Sequence, residues 1–76
     1  MNGTNSAKKL LAEAIGTDAA TVPDGARIGG FAGWDSLAHL RLILALEETI
    51  GRRLDPDEAV RIESLDDVTA LLERRD

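Results

Sequence analysis

The chain has 76 residues, 43% hydrophobic and 30% charged, which describes one small globular domain and excludes a disordered one. Its 9 basic residues against 14 acidic ones leave a net charge of −5, and no basic stripe offsets that total, so no nucleic-acid partner is expected. With no cysteine and a single histidine, His39, neither a disulfide nor a Cys- or His-rich metal site can be built, so stability must come from packing apolar faces.

Residues 1–5 read as a flexible tail ahead of the first periodic segment. Ala7, Leu10, Leu11, Ala14 and Ile15 recur at i, i+3, i+4, i+7 and i+8, one helical face, and predict a helix over 6–15. Asn5 or Ser6 can cap its start, and Gly16 suits a left-handed stop.

A long connection follows from Gly16 to Trp34. Val22-Pro23-Asp24-Gly25 reads as a turn, and Gly29, Gly30 and Gly33 add backbone freedom. Ile28, Phe31 and Trp34, spaced through the segment, are expected to pin it to the bundle as an ordered loop.

The second helix is expected over 36–50. Asp35 is a good N-cap whose charge suits the positive helix end, and Gly51 terminates the helix. Leu37, Leu40, Ile43 and Leu44, with Leu42, Leu46 and Ile50 one row over, form an apolar surface broad enough to touch more than one neighbour. Asp55-Pro56-Asp57-Glu58 then opens a short helix over 56–61 with a cap, a first-turn proline and a reciprocal acid. That helix has only Ala59, Val60 and Ile62 to bury. Ser64-Leu65-Asp66-Asp67 opens the last helix, 65–74, in a similar way. Its inner face is Leu65, Val68, Leu71 and Leu72, with Arg74 and Arg75 at its C-terminal end. The scarcity of β-branched and aromatic residues agrees with an all-α chain. The expectation is a four-helix bundle with three main helices, a short third helix and a long first loop, all within one domain, 1–76.

No conventional catalytic set is present. There is no Cys nucleophile, His39 has no evident partner, and Gly29-Gly30 with Gly33 lacks the preceding strand of a phosphate-cradling loop. Asp66-Asp67 and Glu47-Glu48 fall where caps and solvated helix faces would put them. What remains is Gly33-Trp34-Asp35-Ser36-Leu37, which sets a serine hydroxyl at the positive end of a helix, a favourable place for a phosphate ester. The same residues also read as ordinary capping, and the local sequence leaves both readings open.

Beyond those five residues, Gly-x-Asp-Ser-Leu opening a long amphipathic second helix resembles the phosphopantetheine attachment motif of acyl and peptidyl carrier proteins. Leu44-Ala45-Leu46-Glu47-Glu48 with Ile50-Gly51 is similar to the end of that family's second helix. Leu54-Asp55-Pro56-Asp57 is similar to the start of its third, and Ile62-Glu63-Ser64-Leu65-Asp66-Asp67-Val68 to the start of its fourth. The likeness covers about residues 7 to 73.

The resemblance implies the acyl-carrier bundle and a protein without catalysis of its own. It also implies a 4′-phosphopantetheine arm, taken from coenzyme A and attached to Ser36 by a magnesium-dependent phosphopantetheinyl transferase. Ser36 Oγ would attack the β-phosphate of coenzyme A, and the arm's thiol would carry cargo as a thioester. Asp35 matches the acidic residue that helps the transferase dock, and Leu37 the apolar residue that contacts partner enzymes.

The second helix is the family's main recognition surface, so Leu37, Ala38, Arg41, Glu47 and Glu48 are the expected partner contacts. Where fatty-acid carriers usually present carboxylates, this chain has Ala38, His39 and Arg41, with no acidic residue between Leu37 and Leu46. Arg41 would repel a basic docking patch. The implied role is therefore a dedicated carrier in a specialised pathway rather than housekeeping fatty-acid synthesis. Its partners would be a loading ligase or synthase, and its cargo acyl, hydroxyacyl, polyketide or aminoacyl. An aminoacyl or peptidyl carrier is the neighbouring reading, and an unmodified acidic helical interaction domain the reading from another class.

His39 is read as a solvated residue on a helix face, with a pH-sensitive contact as the alternative. Trp34 is read as a loop anchor, with contact to the arm or a partner as the alternative. No apolar run approaches a membrane span, and residues 1–6 lack the apolar core of a secretory signal, so a cytoplasmic, monomeric protein is expected. Met1 and the short flanks read as those of a free-standing domain.

Overall fold

The structure, a computed structural model, describes residues 3–73. The order is α1 (Gly3–Ile15), a single 3-10 turn (Ala19–Thr21), α2 (Ser36–Ile50), α3 (Pro56–Arg61) and α4 (Leu65–Glu73). Among the described residues there is no strand, only an isolated antiparallel bridge between Arg27 and Ser64. The chain is therefore all-α, as its composition and periodicity indicate.

Each boundary has a local cause. Asp35 caps α2 by accepting the Ala38 N–H at Oδ1 (2.9 Å), and Gly51 closes the helix at φ 78°, the left-handed conformation that glycine adopts without strain. Pro56 stands at the start of α3, where its missing N–H costs nothing, and Glu58 Oε1 accepts the Asp55 N–H (3.0 Å). Asp67 Oδ2 accepts from the Glu63 and Ser64 N–H groups (2.9 and 3.1 Å), while the Asp67 N–H returns a bond to Ser64 Oγ (3.3 Å), a reciprocal cap for α4.

The start of α1 differs from expectation. The helix includes residues 3–5, so neither Asn5 nor Ser6 is its cap and it begins ahead of the expected residue 6. Apolar periodicity marks the buried part of a helix, and a polar first turn can extend beyond it. Arg74 and Arg75, and the last residue of the expected 65–74 helix, lie outside the described residues.

α1 packs chiefly on α4 and α2. The core is Ala7, Leu11, Ala12 and Ala14 from α1, Leu42, Ile43 and Leu46 from α2, and Leu65, Val68 and Leu72 from α4. Trp34 is the largest side chain that is fully buried. It comes from the long loop, whose Val22 and Ala26 are also buried and whose Ile28 and Phe31 pack against the core. The loop is an ordered wall of the bundle, and Trp34 is its anchor. Backbone bonds strengthen it: the Ile28 N–H donates to Glu63 O and the Leu65 N–H to Ala26 O, both at 2.9 Å. These tie the loop to the α3–α4 connection.

Two expectations about apolar faces are corrected. Leu37, Leu40 and Leu44 do not join the packing; they stand 58%, 57% and 56% exposed. The contact face of α2 is Ala38, Leu42, Ile43 and Leu46, a narrower stripe than the leucine count suggested. Of the three apolar residues expected at the short helix, only Val60 departs, at 75% exposed; Ala59 is half-buried against the core and Ile62, just past the helix, is buried. The short helix is held through Ala59 and at its flanks, by buried Leu54 and Ile62.

Candidate functional site

The site is built where the long loop turns into α2. Gly33 adopts φ 93°, and a Cβ there would also come within 2.6 Å of Ile15 Cγ2, so glycine is required on two counts. Trp34 follows, with its ring in the core, its N–H donating to Phe31 O and its carbonyl accepting the Gly29 N–H (both 3.0 Å). Asp35 is extended, and with Trp34 fixed it is aimed to cap the helix. Ser36 is then the first helical residue, and its side chain is exposed.

The electrostatics follow from that position. The Ala38 N–H is taken by Asp35 and the His39 N–H by the Asp35 carbonyl (2.8 Å), so the Ser36 and Leu37 amides are the first-turn donors without an intrahelical acceptor. They give the surface around Ser36 Oγ a partial positive character that suits a phosphate ester. No described residue makes a hydrogen bond to that hydroxyl, so no general base is arrayed on it.

His39, the imidazole nearest in sequence, is engaged elsewhere. It is half-buried, receives Trp34 Nε1–H at Nδ1 (3.2 Å) and sits with Nε2 3.1 Å from the Ala59 carbonyl of α3. The solvated-histidine reading is corrected: the ring links three elements. The sequence signal that could have revealed this is a tryptophan just before an N-cap with a histidine five residues on, which one helical turn brings back beside the indole N–H.

The remaining expected contacts separate in space. Leu37, Arg41 and Glu48 are exposed. Ala38, 4% exposed, faces inward and has no surface to give a partner, because it lies on the same side of α2 as Leu42. Glu47 is half-buried and its Oε2 accepts the Leu54 N–H (2.9 Å), so this carboxylate holds the α2–α3 connection. On that same connection Arg52 forms a two-bond pair with Glu58 (3.1 and 2.9 Å). The hydrogen bond first, and the Glu58 charge second, raise the Arg52 pKa above its ordinary value.

Among the described residues no cluster of three or more His, Cys, Asp or Glu could hold a metal, and no helix is long and apolar enough to cross a membrane. No protein-family model matches the chain. It is similar to the acyl carrier protein of Solidesulfovibrio magneticus, at 29% identity over 75 residues, 99% of this chain and 96% of that one. It is also similar to the acyl carrier proteins of two strains of Rhodopseudomonas palustris, each at 36% identity over 67 residues, 88% of this chain and 85% of theirs. A four-helix chain that matches these relatives over nearly its whole length, and opens its second helix on an exposed serine, belongs to the acyl carrier protein family.

Proposed function

We propose that Ser36 is the attachment point for 4′-phosphopantetheine, and that the protein carries an acyl group for partner enzymes without catalysis of its own. The observation that carries this reading is the exposed Ser36 hydroxyl at the start of α2, with Asp35 as cap and left-handed Gly33 before it. The residues fit the group: the hydroxyl is open to solvent, and two first-turn amides remain to face an added phosphate. When attached, the arm supplies a terminal thiol that holds cargo as a thioester. The chain has no cysteine, so the sulfur of the chemistry belongs to the arm. Asp35 has two tasks in this reading, capping α2 through Oδ1 and presenting negative charge to a magnesium-dependent transferase.

The pathway we propose is a specialised one, in the cytoplasm. The outer face of α2 supports it. Leu37, Leu40 and Leu44 present aliphatic surface, Arg41 adds a positive charge among them, and Glu47 is drawn into a backbone bond. A basic docking patch has little to grip there, so the loading ligase or synthase should present a different surface. An aminoacyl or hydroxyacyl cargo is compatible with the same site.

Intact-mass spectrometry tests the reading directly. The purified protein is incubated with coenzyme A, magnesium and a broad-specificity phosphopantetheinyl transferase, beside a Ser36→Ala control. A gain of one phosphopantetheine, absent from the control, is the expected result. No gain on folded protein would leave Asp35-Ser36 as a helix cap and the chain as an acidic interaction domain.

A further inference from the structure

His39 and Trp34 are the only histidine and the only tryptophan of the chain, and they form one hydrogen-bonded unit with α3. Indole Nε1–H is a donor and nothing else, so His39 Nδ1, 3.2 Å away, must accept. A neutral imidazole that accepts at Nδ1 carries its proton on Nε2, and Nε2 lies 3.1 Å from the Ala59 carbonyl, which can only accept. In the neutral ring the two partners therefore select one tautomer. The rings lie 26° from parallel with centroids 6.2 Å apart, the side-by-side arrangement that an in-plane N–H···N bond requires.

The three residues belong to three different parts of the fold. Trp34 ends the long loop two residues before Ser36, His39 sits in the first turn after Ser36, and Ala59 lies in the short helix, none of whose side chains is fully buried. A bond to the α3 backbone matters more for such a helix than for one already held by its core residues. We infer that His39 is a positioning residue, a neutral Nε2-protonated imidazole that clasps the Ser36 turn to α3 so that loop, turn and short helix move as one unit. The clasp itself is independent of the arm. Its consequence for loading rests on the carrier reading above.

Nitrogen NMR of the single imidazole, at a pH where it is neutral, reads the tautomer. A pyridine-like Nδ1 and a pyrrole-like Nε2 are expected, whereas the opposite assignment, or an average of the two, overturns the clasp. Trp34→Phe, which keeps an aromatic ring but removes the donor, should let the two tautomers mix.

Amide exchange reads the mechanical role. His39→Ala should speed exchange in residues 56–61 by up to about tenfold, the scale of one lost hydrogen bond. His39→Gln, with an amide donor near the Nε2 position, should restore much of that protection. His39→Asn, which keeps an acceptor near Nδ1, should protect the Trp34 indole N–H but not α3. Exchange in α3 that is the same for wild type and His39→Ala overturns the inference.

Loading kinetics separate the two proposals. If wild type takes the arm, His39→Ala should do so with kcat/KM lowered several-fold and His39→Gln should recover most of it; equal loading overturns the positioning role while the carrier reading stands. If wild type takes no arm, the carrier reading falls, and the tautomer and exchange measurements still decide the clasp.

Discussion

Gly33 lies against Ile15 so closely that a Cβ on the glycine would fall 2.6 Å from Ile15 Cγ2, and it does so at φ 93°. The end of α1 thereby fixes the turn that delivers Trp34 to the core and Ser36 to the surface. Gly33→Ala should cost about 2–4 kcal/mol, adding a left-handed alanine to an overpacked contact. Ile15→Ala in the same chain should relieve the contact but not the backbone penalty, so the double variant recovers only part of the loss. Urea unfolding followed by Trp34 fluorescence measures both. An additive double variant would show that Ile15 is not what Gly33 avoids.

Glu47 and Glu48 are adjacent in sequence and unequal in the fold. The Glu47 carboxylate accepts the N–H of Leu54, whose side chain is buried, whereas Glu48 is exposed. Glu47→Ala leaves a part-buried donor unsatisfied and should cost about 1–3 kcal/mol. Glu48→Ala should stay within about 0.5 kcal/mol of wild type. Denaturant midpoints of the two variants check this, and equal values would remove Glu47 from the α2–α3 connection.

The sequence carried the helices well because their ends are marked chemically: Asp35 and Gly51 around α2, Pro56 at α3, Ser64 and Asp67 at α4. Ser36 was legible for the same reason, since its position is defined by the cap beside it. The faces were harder. Leu37, Leu40 and Leu44 have the spacing of core residues, and only the number of neighbouring helices decides that α2 buries Ala38, Leu42, Ile43 and Leu46 instead. The links between distant segments left no local mark at all. Arg27 with Ser64, Glu47 with Leu54, and His39 with Ala59 are set by tertiary packing, and a backbone carbonyl such as that of Ala59 has no residue code.

The unequal anchoring of α2 and α3 should be visible in exchange of the wild-type protein. Segment 40–46 contains three core side chains, Leu42, Ile43 and Leu46, whereas 56–61 contains none. Amides in 56–61 should therefore exchange faster than those in 40–46, through local opening rather than global unfolding. Leu54 and Ile62, buried on either side, should keep that opening from spreading into the core. Equal protection in the two segments would mean that α3 and α2 open together.

The exposed leucines should divide stability from recognition on one helix. Leu42→Ala or Leu46→Ala removes a fully buried side chain and should cost about 2–5 kcal/mol. Leu37→Ala, Leu40→Ala and Leu44→Ala remove side chains that are more than half exposed, and each should leave stability within about 0.5 kcal/mol. The same three substitutions should weaken productive encounter with partner enzymes, because aliphatic surface of this extent beside Ser36 has no intramolecular use. Arg41 stands exposed on the same helix, so Arg41→Glu should instead change the salt dependence of association while leaving folding untouched. Thermal unfolding beside the KM of the transferase for each variant separates the two effects. A leucine variant that loses stability but keeps its KM would return that residue to the core and take it off the docking face.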